Sequence, residues 1–200
     1  MRRLLSFACI AGLAIACGSG AVPNATVTPT TSQSLLVVYA KWVPDGNAKS
    51  DLEPGYRPAL TGLTSHDMQR ATAAIDPSGT HWIVGFSFTP RGRALFTQLT
   101  HDNVAACPSG ACAQRHLGTW LDLTQSDIDK WDDPTYAGTL SQPFDLDCLA
   151  RMTAATACPK LVTDALTLQE ITGGNGEIGG ALTQQTANRL ADAINATSHS

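Results

Sequence analysis

Charged residues are scarce in this chain of 200 residues: they make up 15% of it, against about a quarter in typical soluble proteins. Lys and Arg number 13 and Asp and Glu 17, so the net charge is −4. Binding to nucleic acid regardless of sequence needs clustered basic residues, and the charge balance therefore excludes nucleic acid as an expected partner. The hydrophobic share of 43% suffices for an ordinary core and excludes disorder throughout the chain.

A long hydrophobic run is also lacking. The apolar stretch 4–16 follows the cationic Met1-Arg2-Arg3 and is shorter than the roughly 20 residues of a transmembrane helix. This pattern predicts a signal peptide at residues 1–16. Small residues before Cys17 resemble a bacterial lipobox, although Leu13 stands four places before the Cys, where the pattern prefers three. An ordinary signal peptide cut near Ala16 is the alternative.

Residues 17–34 show no periodicity and are rich in Pro and hydroxyl residues, which is typical of a flexible tether. We therefore expect a folded domain at residues 35–200, held to the bilayer by an acyl anchor on Cys17. The expected location is the bacterial cell membrane, on its extracytoplasmic side.

Six Cys are present, of which Cys9 belongs to the predicted signal peptide. The four in the folded part form an even number in an exported chain, which predicts two disulfides. Short loops cost least to close, so the favoured pairs are Cys107–Cys112 and Cys148–Cys158. The alternative is a zinc site built from Cys107 and Cys112 with His101 or His116.

The order of predicted elements favours an α+β fold. We expect a mixed or antiparallel sheet of four to five strands, with 81–88 and 161–171 in the same sheet, and two to three helices mainly on one face. Strands are predicted at 34–43, 82–88, 116–123 and 161–171, and a loop at 44–59. Helices are predicted at 64–75, at 90–104 and after Thr183, each starting behind a Thr cap. Residues 124–160 are predicted to form a disulfide-bearing insertion with one short helix.

Two segments resemble the first periplasmic domain of SecD. Val84–Thr100 (VGFSFTPRGRALFTQLT) is similar to its strand and following helix, and Glu170–Gly180 (EITGGNGEIGG) to its glycine turn before a closing helix. Leu60-Thr61-Gly62-Leu63 and the strand ending at Leu123 fit the same order. The resemblance covers 60–123 and 161–195, outside the insertion. It implies that this chain is a detached head of that domain. In the SecD family, the head is expected to contact emerging polypeptides.

The glycines of the family turn are Gly173, Gly174, Gly176, Gly179 and Gly180. The six residues 174–179 (GNGEIG) satisfy G-x-G-x-x-G, but a dinucleotide site needs a further strand and an acidic residue about 20 positions later. We expect the glycines to supply positive φ angles in a hairpin-like turn.

No set of residues predicts catalysis, since no G-x-S-x-G motif occurs and Glu is limited to positions 53, 170 and 177. We expect no enzyme activity and no cofactor. The predicted function is that of a non-catalytic interaction domain linked to protein export or to handling of envelope proteins. Its expected partners are exported polypeptides or another envelope protein, contacted through exposed Trp131 and Tyr136 or by strand addition at a sheet edge.

The alternative function is that of a small-ligand or calcium-binding lipoprotein. Its weak candidate ligands are four acidic residues of the insertion, Asp127, Asp129, Asp132 and Asp133. The glycine that a calcium loop needs at its sixth position is missing from this segment.

Overall fold

A computed structural model describes residues 35–48, 51–108, 112–151 and 157–198. The predicted signal peptide, Cys17 and the tether lie outside these residues. Within them the α+β class is confirmed: two antiparallel sheets combine with helices, in contrast to the single sheet expected.

The strands are β1 (Val37–Pro44), β2 (Tyr56–Thr64), β3 (Met68–Ile75), β4 (Trp82–Phe88), β5 (His116–Leu121), β6 (Leu161–Leu166) and β7 (Asn175–Leu182). The four-stranded sheet has the order β2-β1-β5-β6, and the three-stranded sheet has the order β3-β4-β7. The expectation that 81–88 and 161–171 share a sheet is therefore wrong, because β4 and β6 lie in different sheets. The start of β1, 37–40, is buried at every position, so its sheet is covered on both faces.

Two long helices start where their caps predict. In α1 (Pro90–Ala106) the hydroxyl of Thr89 accepts a hydrogen bond from the Gly92 amide at 3.1 Å. In α5 (Gln184–Thr197) the hydroxyl of Thr183 accepts one from the Thr186 amide at 3.2 Å. Each cap satisfies an amide that the first turn would leave unpaired.

The helix predicted at 64–75 is wrong beyond its first turn. The capping box of Thr64 and Asp67 forms, but it caps a single 3-10 turn at Ser65–Asp67, after which β3 begins. β3 finds its backbone partners in β4, and a bulge between Gln69 and Thr72 interrupts the pairing. Asn195 of α5 binds both backbone polar groups of Ala71 in this bulge, at 2.8 and 2.9 Å. Tertiary pairing has overridden a local helix signal.

Residues 56–59, predicted as loop, belong to β2, which carries Pro58 at the outer edge of the four-stranded sheet. Proline is tolerated there because an edge strand needs no donor on its outer side.

The insertion contains three short helices rather than one: α2 (Gln125–Ile128), α3 (Pro134–Leu140) and α4 (Leu146–Ala150). Side chains of α2 and α3, with Trp131 between them, join β1 and β5 in one apolar cluster, in which the rings of Trp42, Trp120 and Trp131 meet edge to face at 5.9 to 6.2 Å. Leu146 and Leu149 of α4 belong to a second cluster. The second cluster lies between the two sheets, where Phe96 of α1 contacts both Tyr39 and Phe88. The part of the insertion from α2 to α3 thus covers the outer face of the four-stranded sheet.

Both favoured disulfides, Cys107–Cys112 and Cys148–Cys158, are formed. The sulfurs of Cys107 and Cys112 are therefore not available for the alternative zinc site.

Candidate functional site

A groove opens between the outer edges of the two sheets. β6 ends the four-stranded sheet and β7 ends the three-stranded one. The edges are close where β6 starts, since a Cβ on Gly180 would lie 3.9 Å from the carbonyl oxygen of Val162. Further along, a cavity of about 590 Å³ separates them. On its outer edge, β6 forms one backbone bridge with another described residue. This bridge joins Leu161, at the start of β6, to Pro143.

The groove is lined mainly by apolar side chains. Its floor carries Tyr39, Phe86, Phe96 and Leu117. Burial raises the pKa of Tyr39 against a smaller opposing effect of its hydrogen bond with Thr119, so the phenol stays uncharged. One wall consists of the end of β6 and the segment after it, with three apolar side chains exposed to solvent: Leu166 (43%), Leu168 (75%) and Ile171 (38%).

This wall is fixed to the rest of the domain by hydrogen bonds between its backbone and side chains of other elements. The hydroxyl of Thr97 donates to the carbonyl of Ile171, and the amide of Ile171 donates to the hydroxyl of Thr100, each at 3.0 Å. The buried guanidinium of Arg115 donates to the carbonyls of Cys107, at 2.7 Å, and Leu168, at 3.0 Å. Leu166 and Leu168 therefore lie on a segment that these hydrogen bonds hold in place, and their exposure is a fixed property of the folded domain. Several exposed apolar side chains along one wall of a groove are typical of a binding site.

The acidic residues of the insertion are used for structure. Asp127 is buried and accepts hydrogen bonds from Nζ of Lys160, at 2.8 Å, and from the hydroxyl of Tyr136, at 2.7 Å. Burial alone would raise the pKa of Asp127, but the hydrogen bonds of Lys160, Tyr136 and Thr124 outweigh it and lower that pKa. Burial, and to a smaller extent the same carboxylate, raise the pKa of Tyr136, which keeps its proton as a donor.

The other three acidic residues each have a different partner. Asp129 accepts from Gln125 at 2.9 Å, Asp132 pairs with Arg57 at 3.0 Å, and Asp133 caps α3 through the amide of Thr135 at 2.9 Å. The structure does not bring the four carboxylates together as ligands of one ion.

The predicted contact residues are placed differently from expectation. Trp131 is completely buried in the aromatic cluster, and Tyr136 is partly buried with its hydroxyl bound to Asp127. The expectation that both are exposed is wrong, because the insertion packs onto the sheet through them.

The glycine run is mostly strand rather than turn. Gly176, Gly179 and Gly180 belong to β7, and of the five glycines only Gly180 has a positive φ, of 130°. Gly176 serves close packing instead, because a Cβ there would lie 2.4 Å from Cζ of Phe86. A Cβ on Gly174 would lie 2.7 Å from the guanidinium of Arg93. Gly173 has open space around it.

A cluster of three ionisable side chains lies at the opposite face of β6. Nδ1 of His116 is 2.8 Å from Oδ2 of Asp164 and 3.1 Å from Oε1 of Glu53. Burial raises the pKa of Glu53, His116 opposes this and Asp164 adds to it. Sequence reasoning considered His116 only beside the cysteines, because the register that brings Asp164 to it is not readable from the sequence.

Comparison with known proteins identifies a family. The family model described as SecDF, P1 head subdomain, matches residues 48–198. That range runs through the insertion and all four disulfide cysteines, whereas the sequence resemblance covered only 60–123 and 161–195. A search of curated proteins finds no match.

Solved structures of SecDF are among those similar to the chain. One is of SecDF as "a membrane component SecDF that enhances protein export", with 18% identity over 82% of this chain and 63% of that chain, at a TM-score of 0.49. The other is of SecDF in a "Super-membrane-facing form", with 17% identity over 82% of this chain and 19% of that chain, at a TM-score of 0.47. The chain thus spans less than two thirds of either protein. In the part of the chain that the structure describes, no helix combines the length and hydropathy needed to cross a bilayer.

Proposed function

Since the chain belongs to the SecDF P1 head subdomain family, we propose that it is an extracytoplasmic interaction domain of protein export that binds exported polypeptides in an extended, unfolded form. The groove between β6 and β7 is the proposed binding site. The exposed Leu166, Leu168 and Ile171 beside the outer edge of β6 are the observation that carries this proposal.

The chemistry of the groove suits an extended chain. The outer edge of β6 offers backbone donors and acceptors, which an incoming strand can pair with regardless of its side chains. The leucines add apolar contact area for whichever hydrophobic residues the polypeptide presents. Such a site would gain affinity from pairing with the backbone of the polypeptide and would select its side chains only loosely, for apolar character. A domain that accepts many different exported chains needs this combination.

No catalytic step is part of the proposal. The groove surface is apolar side chains, threonine hydroxyls and amides, with Glu177 at its margin. Membership of the head-subdomain family supports a binding role rather than a catalytic one.

The disulfides fit an oxidising compartment outside the cytoplasm. We propose further that Cys17 carries a diacylglyceryl group and that residues 17–34 tether the domain to the outer surface of the cell membrane. Replacement of Cys17 with Ser is then expected to release the protein from the membrane fraction, with loss of the lipid mass from its N-terminal peptide. A membrane-bound C17S variant would contradict the anchor without bearing on the groove.

Site-specific photocrosslinking in intact cells tests the groove. The full chain carries a photoreactive amino acid at position 168, and an epitope-tagged secretory protein serves as the export substrate. The matched control carries the same group at Ile75, which is 53% exposed on β3, an edge strand remote from the groove.

Crosslinks from position 168 to the tagged substrate, with few or none from position 75, are expected. Equal yields from the two positions, or none from position 168, would overturn the proposed site.

A further inference from the structure

Three side chains that the proposed function does not use meet on the face of β6 that turns toward the insertion. His116 opens β5, Asp164 lies in β6, and Glu53 comes from the segment before β2. Asp164 pairs with Gly118, which has no side chain of its own, and the imidazole of His116 lies 2.8 Å from its carboxylate. The side chains of Glu53, His116 and Asp164 are 16%, 30% and 9% exposed.

The distances suit a small divalent ion. Zinc binds imidazole nitrogen and carboxylate oxygen at about 2.0 to 2.2 Å, so neighbouring ligand atoms in a tetrahedral site lie about 3.4 Å apart. Here Nδ1 of His116 is 2.8 Å from Oδ2 of Asp164 and 3.1 Å from Oε1 of Glu53. One ligand atom from each residue lies within 4.8 Å of the others. Both distances from Nδ1 are thus within about 0.6 Å of the spacing that a tetrahedral zinc ion requires.

The charge balance also favours a cation. Two carboxylates face a single ring nitrogen, which can offer at most one proton to both. The cluster therefore keeps a net negative charge whether the imidazole is neutral or protonated. A divalent ion at the same point would bind both carboxylates and the ring nitrogen together.

The surroundings of Asp164 resemble the outer shell of a metal site. Nε1 of Trp42 donates to Oδ1 of Asp164 at 2.9 Å, while Oδ2 of the same carboxylate faces His116. Such outer hydrogen bonds orient ligating carboxylates in metal proteins. The indole of Trp42 belongs to the aromatic cluster, so it holds the carboxylate in a fixed orientation.

We propose that Glu53, His116 and Asp164 form a zinc-binding site, with a fourth position open to solvent beside His116. Two carboxylates with one imidazole are a donor set that zinc accepts. The site would join the segment before β2 to β5 and β6 on the insertion side of the four-stranded sheet. It is independent of the proposed polypeptide groove.

Isothermal titration of the tag-free full chain with Zn²⁺, after removal of metals by a chelator, tests this site. One ion per chain and a rise in melting temperature are expected, because an ion that binds only the folded state stabilises it. Co²⁺ in place of Zn²⁺ is expected to produce the visible absorption of a nitrogen- and oxygen-coordinated tetrahedral ion.

Three variants locate the ion. His116→Gln and Glu53→Gln are each expected to weaken Zn²⁺ binding by tenfold or more, since each removes a direct ligand. The matched control is His101→Gln, because Nδ1 of His101 also lies 3.1 Å from a carboxylate, that of Glu170, but both side chains are exposed and the described residues provide no third ligand there. H101Q is expected to bind Zn²⁺ as the parent does.

Glu53 lies in a surface segment, so Glu53→Gln keeps the test decisive even if His116→Gln fails to fold. Absence of saturable binding at millimolar Zn²⁺, or unchanged affinity in E53Q, would overturn the proposal.

Discussion

Nζ of Lys160 lies 2.8 Å from Oδ2 of Asp127, with both side chains almost completely buried. Lys160 stands just before β6, and Asp127 lies in α2 of the insertion. Nζ also donates to the carbonyl of Asp122 at 2.7 Å, and the hydroxyl of Tyr136 donates to the second oxygen of Asp127 at 2.7 Å. This buried network fastens the insertion to the four-stranded sheet.

We expect Asp127→Asn to lower the free energy of unfolding by about 3 to 5 kcal/mol, since loss of one partner leaves the buried ammonium of Lys160 without a compensating charge. Urea denaturation at neutral pH measures the change. The matched control is Asp129→Asn, which alters an exposed carboxylate of the same segment and is expected to change stability by about 0.5 kcal/mol or less.

Equal effects of D127N and D129N would contradict the structural role of the pair. Combination of Asp127→Asn with Lys160→Met is expected to cost less than the sum of the two single changes, because both act on one interaction.

The same pair predicts a pH dependence. The hydrogen bonds of Lys160, Tyr136 and Thr124 hold the pKa of Asp127 below its usual 3.8, despite the opposing effect of burial. The unfolded chain therefore takes up this proton at higher pH than the folded one, so the stabilisation is complete above pH 3.8 and is lost as pH falls through the folded-state pKa.

The measurement is the difference in unfolding free energy between the parent and D127N as a function of pH. The difference is expected to be constant near neutrality and to shrink below pH 3.8. Since the comparison with D127N cancels other titrating groups, a difference that stays constant in acid would contradict the prediction.

The sequence predicted those elements whose signals are local. The strand predicted at 82–88 has the bounds of β4, and the two long helices start directly after their Thr caps, Thr89 and Thr183. The capping box at Thr64 was also a correct local signal, but it stabilises one turn only. The next eight residues form β3 because they pair with β4. This pairing cannot be read from a single sequence.

The sites depend on relations that the sequence does not display. Leu166, Leu168 and Ile171 were predicted as parts of one strand, and their exposure follows from the end of β6 at Leu166 and from anchoring by Thr97, Thr100 and Arg115. Trp131 was predicted at the surface because nothing in the insertion shows that it meets Trp42 and Trp120. The cluster around His116 required the register of β5 and β6.

We expect Gly176→Ala to destabilise the domain, because its Cβ would lie 2.4 Å from Cζ of the buried Phe86 ring. Overpacking of this kind typically costs about 1 to 3 kcal/mol. Gly179→Ala is the matched control in the same strand, since the nearest atom to its Cβ is the Ile83 methyl at an ordinary 3.7 Å. Thermal and urea unfolding of both variants measures the effect. Equal stability of the two variants would show that Phe86 does not need this glycine.

We expect Leu168→Ser to weaken binding of an unfolded polypeptide without weakening the fold. The side chain is 75% exposed, so its removal costs little burial, and the unfolding free energy should change by about 0.5 kcal/mol or less. Only the main contact residues of a binding site cost more than about 1 kcal/mol on truncation, and we expect Leu168 to be one of them, with a loss of affinity of about fivefold or more.

Fluorescence anisotropy with a labelled, reduced and alkylated secretory polypeptide measures the affinity, and urea denaturation measures the stability. Ile75→Ser, at an exposed apolar position on β3, is the control and is expected to change neither quantity by more than these limits. Unchanged affinity in L168S, or an equal loss of affinity in I75S, would show that the polypeptide does not bind at the outer edge of β6.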